Sequence, residues 1–204
     1  SSIRPPAEPH SAKNISKMLG KRIFKLDWNE APIGPSKHVL ASIKKFLRMK
    51  NNLNWYADPS ATEFRKRIAG YAKVRPSQIL VTNGSDQAHE LLCLAYIKEG
   101  DEVIIPVPTF STFKTWVDLG GANIVEVPYK VNSKVDVQSI LRKITAKTKM
   151  IYLVNPYIAT FSKEDIAEIA KACRKSIVLV DEAYHEFYGK SAIGLIKKFD
   201  NIVV

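Results

Sequence analysis

Four consecutive apolar residues, Ile177, Val178, Leu179 and Val180, run straight into Asp181-Glu182-Ala183-Tyr184. Such a run reads as a buried strand that carries a carboxylate to its end, where an acid out of water has to meet a cation or a metal. A solvated loop acid just past a sheet is the plain alternative. Two chemistries compete for the buried version. Magnesium-nucleotide binding also needs a phosphate loop of the form G-x-x-x-x-G-K-[ST], and the Gly-Lys-Ser at Gly189-Lys190-Ser191 has Tyr184 where the first glycine belongs. The second is a protonated heterocyclic nitrogen: a carboxylate against a pyridinium keeps it protonated, so the ring can accept electrons. Tyr184 could then hydrogen-bond a ring oxygen.

Two other stretches could contribute. Val81-Thr82-Asn83-Gly84-Ser85-Asp86 reads as a strand leaving through a glycine into a helix. First-turn N–H groups and the Ser85 hydroxyl can hold a phosphate there, although an ordinary strand-to-helix turn capped by Ser85 explains the same residues. Pro106-Val107-Pro108-Thr109-Phe110 is a strand exit with an aromatic at the turn. Phe110 either stacks on a planar ring or packs under the loop as a core aromatic.

The surrounding pattern supplies the elements that position these groups. Val39, Ile43, Phe46 and Leu47 have helical spacing, as do Phe64, Ile68, Tyr71 and Ala72. Ile79-Leu80-Val81 reads as a short strand, and Asp86 to Ile97 as a helix stopped by Gly100. Strands are expected at Glu102–Ile105, Asn123–Val127, Met150–Val154 and Ile177–Val180, with another beginning near Asn201. Ser162-Lys163-Glu164-Asp165 is a capping-box-like helix start. Apolar strands alternating with helices predict an α/β fold whose largely parallel sheet is flanked by helices, with its chemistry at the carboxyl ends of the strands.

Composition narrows the class. The 204 residues carry 31 Lys+Arg against 20 Asp+Glu, a net charge of +11, with 46% hydrophobic and 25% charged residues. That mixture can build a core and is unlike a disordered tail. Three basic clusters (Lys44, Lys45, Arg48 and Lys50; Arg65, Lys66 and Arg67; Lys171, Arg174 and Lys175) fall on polar sides of helical segments, so no nucleic-acid partner is expected. The field can still attract anionic small molecules. Cys93 and Cys173 sit in apolar helical patterns and suggest neither a disulfide nor a metal site. Apolar runs are strand-length and residues 1–13 lack a signal core, so a cytoplasmic protein with no membrane partner is expected.

Several motifs recur together in one order: Leu26-Asp27-Trp28-Asn29-Glu30 before Gly34-Pro35-Ser36; Tyr56-Ala57-Asp58-Pro59 before Phe64-Arg65; Ile79 to Asp86; Pro106 to Phe110; and Val180 to Tyr184 with Glu186-Phe187. In this the chain resembles the histidinol-phosphate aminotransferase family, pyridoxal-phosphate enzymes of fold type I, over Leu26 to Val204. The resemblance implies an N-terminal arm over 1–35 and a large, pyridoxal 5′-phosphate-binding domain over 36–204, incomplete at its C-terminus. It implies that Gly84, Ser85 and Asp86 bind the cofactor phosphate, Phe110 stacks on the pyridine, Asp181 pairs with its nitrogen, Ala183 packs on the opposite face and Tyr184 reaches the phenolic oxygen. Tyr56 would reach the phosphate of a partner subunit in a homodimer, and Asn29 would lie near the substrate. The activity implied is transamination between an amino acid and a (phosphorylated) keto substrate, within histidine or other amino-acid biosynthesis. A decarboxylase or lyase of the same fold and a lysine-less binding module are the alternatives.

The chain departs from the family at two places. Asn155-Pro156-Tyr157-Ile158-Ala159-Thr160-Phe161 replaces Asn-Pro-Asn-Asn-Pro-Thr-Gly and puts Ile158 where an asparagine would donate, which suggests a turn missing between Pro156 and Tyr157. The Schiff-base lysine is expected beyond Val204, since Lys190, Lys197 and Lys198 come too early, so these residues alone are expected not to turn over.

Overall fold

The computed structural model describes residues 17, 19–22, 24, 29, 31, 33–50, 53–130 and 136–204. The chain divides into two compact units after Pro59. In the first, helix α1 (Lys37–Arg48) starts where the Ser36 hydroxyl accepts the Val39 N–H at 3.3 Å. Its apolar side, Val39, Leu40, Ile43, Phe46 and Leu47, is exposed.

The second unit is built on a five-stranded, all-parallel sheet. Helices α2 (Thr62–Ala72) and α3 (Gly84–Tyr96) precede strand β1 (Glu102–Val107). There follow α4 (Ser111–Leu119), β2 (Asn123–Pro128), α5 (Val137–Lys143), β3 (Thr148–Val154), α6 (Lys163–Ala172), β4 (Ile177–Asp181), the short α7 (His185–Tyr188) and β5 (Ile202–Val203). The strand order is β2-β1-β3-β4-β5. The expected α/β architecture is therefore present, with strand ends within two residues of those read from the sequence.

Alternation along the strands sorts the core into two layers. Ile104, Ile151, Leu153, Val178 and Val180 face one side, where they pack with Ile140 of α5 and Ile166 and Ile169 of α6. Val103, Ile105, Met150, Tyr152, Val154 and Leu179 face the other, against Cys93 of α3 and Phe113 and Val117 of α4. Asp181 has the same parity as Leu179 and is paired with Val154, so β4 aims it at the α3–α4 side. The ends of β3 and β4 are tied by the Asn155 N–H donating to the Asp181 carbonyl at 2.8 Å.

Side chains close the helix ends. The Ser162 hydroxyl accepts the Asp165 N–H at 3.0 Å and Asp165 Oδ2 accepts the Ser162 N–H at 2.8 Å, completing the anticipated capping box on α6. The Asn201 amide lies 3.1 Å from the carbonyls of Ala170, Cys173 and Ser176 at the other end of that helix.

One expected element is absent. Ile79-Leu80-Val81 is no strand: it pairs with no strand among the described residues, and Leu80 is exposed. Apolar β-branched composition is satisfied here by an extended segment, because strand formation also needs a neighbouring backbone to pair with.

Candidate active site

Asp181 ends β4 as the one buried carboxylate among the described residues, 8% exposed. The Tyr152 hydroxyl donates to its Oδ2 at 2.8 Å, His89 Nε2 stands 3.3 Å from the same oxygen, and the Ala183 N–H donates to Oδ1 at 3.1 Å. Burial raises the Asp181 pKa, whereas hydrogen bonds from His89, Tyr152 and Ala183 lower it; the net shift is downward, so the group is a carboxylate at neutral pH. Burial and the adjoining Asp181 charge push the Tyr152 phenol strongly upward, keeping it a donor.

His89 reaches Asp181 from the buried stripe of α3, where it sits one turn before Cys93. Its ring meets Phe113 and Tyr152 edge-on, with centroids 5.3 Å away in each case, and those two rings stack at 3.8 Å. Its Nδ1 is buried with no hydrogen-bond partner. Neither His89 nor Tyr152 was expected from the sequence as part of the site. The signal available was polarity inside apolar patterns: a histidine on the inward face of α3, and a tyrosine in β3 on the face that Asp181 shares.

Above this acid, α3 begins in a turn that requires glycine: Gly84 has φ +73°, and its carbonyl accepts the Thr82 hydroxyl at 2.8 Å. The Asn83 side chain does not cap this end of the helix; the Gly84 N–H donates to the Thr82 carbonyl at 3.0 Å, and the first-turn N–H groups that follow have no partner within the helix. Gly84, Ser85, His89, Asp181 and Ala183 line one cleft of about 590 Å³. A helix start suited to an anion and a buried carboxylate suited to a cation thus share a cavity, as a phosphorylated pyridinium requires.

The remaining candidates are placed differently. Asp86 is exposed on the first turn of α3 and outside the cleft lining, yet near enough for its charge to add to the Tyr152 shift. Phe110 precedes α4 and is 39% exposed, and Tyr184, half-buried, precedes α7; neither lines the cleft. Asn29, with φ +50°, and the fully exposed Tyr56 belong to the first unit. Leu26, Asp27, Trp28 and Glu30 lie outside the described residues.

The Glu182 carboxylate holds the loop after β4. It accepts the Ser191 hydroxyl at 2.5 Å and the Ala192 N–H at 2.6 Å. A second cavity, of about 490 Å³, lies at the start of α6, but its buried polar side chain, Asn155, is already bonded on both sides to the Phe161 backbone. Among the described residues no cluster of His, Cys, Asp and Glu could hold a metal, and no helix is long and apolar enough to cross a membrane.

Comparison with known proteins gives the family and the fold. The family model described as aminotransferase class I and II matches residues 21–204. The chain is 35% identical over 184 residues to histidinol-phosphate aminotransferase of Thermoanaerobacter pseudethanolicus, covering 89% of this chain and 52% of that protein. It is 33% identical over 201 residues to dihydroxyacetone phosphate transaminase of Campylobacter jejuni, covering 96% and 54%. It therefore spans about half the length of these curated relatives. The solved histidinol-phosphate aminotransferase of Sinorhizobium meliloti, in complex with pyridoxal-5′-phosphate, has the same fold at TM-score 0.75 and 23% identity, over 90% of this chain and 50% of that one.

Proposed function

This chain belongs to the aminotransferase class I and II family, and we propose on that premise that its cleft takes pyridoxal 5′-phosphate for moving an amino group between an amino acid and a keto substrate. The observation that carries the reading is Asp181, a buried carboxylate with a lowered pKa, in one cleft with the Gly84–Ser85 helix start. When bound, the cofactor supplies an electron sink for cleavage at the substrate's α-carbon. Asp181 holds a proton at the ring nitrogen, which keeps the ring electron-poor. The first turn of α3, with the Ser85 hydroxyl and Asp86 beside it, takes the phosphate.

On the family resemblance we assign Phe110 and Ala183 to the two faces of the ring, Tyr184 to its phenolic oxygen, Asn29 to the substrate side and Tyr56 to the phosphate of a second subunit. A cytoplasmic homodimer follows from the same resemblance, and the exposed apolar side of α1 is consistent with an interface. A phosphorylated keto substrate is supported by the two relatives' names, both of which carry a phosphate ester, and by the net charge of +11. Histidinol phosphate chemistry is the first choice.

The test titrates pyridoxal 5′-phosphate into the chain and into Asp181→Asn, followed by the ligand's absorbance. Asparagine keeps the shape and loses the charge, so binding should weaken about tenfold or more. Equal affinities would refute the reading.

A further inference from the structure

An ionised carboxylate offers about four acceptor positions. Around Asp181 three have neighbours: Tyr152 and His89 at Oδ2, and the Ala183 peptide at Oδ1. The position left over belongs to Oδ1, and Asp181 lines the cleft. We propose that His89 is a positioning residue, donating from Nε2 to Oδ2, so that the carboxylate cannot rotate and Oδ1 is reserved for the cationic ring nitrogen of the ligand. The inference rests on the reading of the cleft as a pyridoxal 5′-phosphate site and extends it to a residue on another element.

The surroundings of the imidazole determine how it acts. His89 is 2% exposed, and its Nδ1 has no partner among the described residues. A proton on Nδ1 would be buried without an acceptor, a costly arrangement, whereas Nε2 lies 3.3 Å from Asp181 Oδ2. The geometry therefore selects the Nε2–H tautomer. The imidazole is flanked on two sides, its plane standing at 83° to Phe113 and 79° to Tyr152. The same two rings, stacked at 20°, also fix the direction of the Tyr152 hydroxyl toward Oδ2. Both donors on Oδ2 are thus held by one aromatic cluster from α3, α4 and β3.

Two measurements on the 204-residue chain test this. Histidine-ring nitrogen NMR on the ligand-free chain should show His89 as the Nε2–H tautomer. Titration with pyridoxal 5′-phosphate should show His89→Leu, which fills the space without a donor, binding about tenfold more weakly than the parent. His89→Gln, whose amide can donate from the same side, should recover most of that loss. An Nδ1–H or doubly protonated ring, parental affinity in His89→Leu, or a His89→Gln as weak as His89→Leu would each overturn the positioning role while leaving cofactor binding by the parent intact. Failure of the parent to bind would overturn the cofactor reading, and this inference with it. The tautomer measurement needs no variant and so holds even if His89→Leu does not fold.

Discussion

Replacing Tyr152 with phenylalanine removes one oxygen and with it the closer of the two side-chain donors to Asp181 Oδ2, 2.8 Å against 3.3 Å for His89. The stack on Phe113 does not involve the hydroxyl, so the change is confined to the hydrogen bond. A buried bond to an ionised acceptor contributes about 1.5–3 kcal/mol. Tyr152→Phe should therefore lower stability by about 2 kcal/mol at neutral pH. The loss must depend on the Asp181 charge. Because its folded pKa is lowered, Asp181 contributes stability that is fully present above its unfolded value, about pH 4. That contribution is lost as pH falls through the lower folded value. Without the Tyr152 hydroxyl the folded value moves up toward the unfolded one, leaving less to lose in acid. Urea unfolding of the parent, Tyr152→Phe, Asp181→Asn and the double variant, at neutral pH and at several values below about pH 4, measures this directly. The cycle should give a coupling above about 1 kcal/mol at neutral pH that shrinks on acidification. A Tyr152→Phe loss below about 0.5 kcal/mol, or one of equal size in the Asp181→Asn background, would refute the reasoning.

Two other substitutions probe the frame around the site. Ser162→Ala breaks the α6 capping box and should cost about 1 kcal/mol, read from the urea midpoint with unchanged slope. Glu182→Ala strands the Ser191 hydroxyl and the buried Ala192 peptide, about 2 kcal/mol locally. Hydrogen exchange at the Ala192 amide should accelerate roughly 30-fold while the β3 amides stay protected.

The strands were legible because each is a run of apolar residues bounded by turn formers, and a parallel sheet buried on both faces leaves that mark. The delivery of Asp181 to a strand end followed from the same run. Which face it takes did not: that needs the register of β4 on β3, Leu179 opposite Tyr152 and Val154 opposite Asp181. The partners of the acid were hidden for the same reason. His89 is far from Asp181 in sequence and Tyr152 sits on the neighbouring strand, so only the packing of α3 against the sheet brings them together. Ile79–Val81 misled in the opposite direction, since its residue types suit a strand but pairing depends on what lies alongside.

The carboxylates of this fold show why Asp181 stands apart. Asp165 uses its side chain to cap α6, and Glu182 uses both oxygens to close the loop to Ala192. Asp136 accepts the Ser139 N–H and hydroxyl at the start of α5, and those bonds, with Lys130, hold its pKa at about 2. Each of these acids satisfies a backbone or hydroxyl donor near the surface, and a helix or loop end explains it completely. Asp181 caps no helix, lies deeper than any of them, and is the one carboxylate that an aromatic cluster serves from one side while the other side borders a cleft. Its hydrogen bonds already favour the ionised form in the fold, yet they leave one acceptor position of Oδ1 open beside the cleft. A cation arriving from the cleft would fill that position, which is why the site reads as built for a ligand and why its affinity should follow the donors behind Asp181.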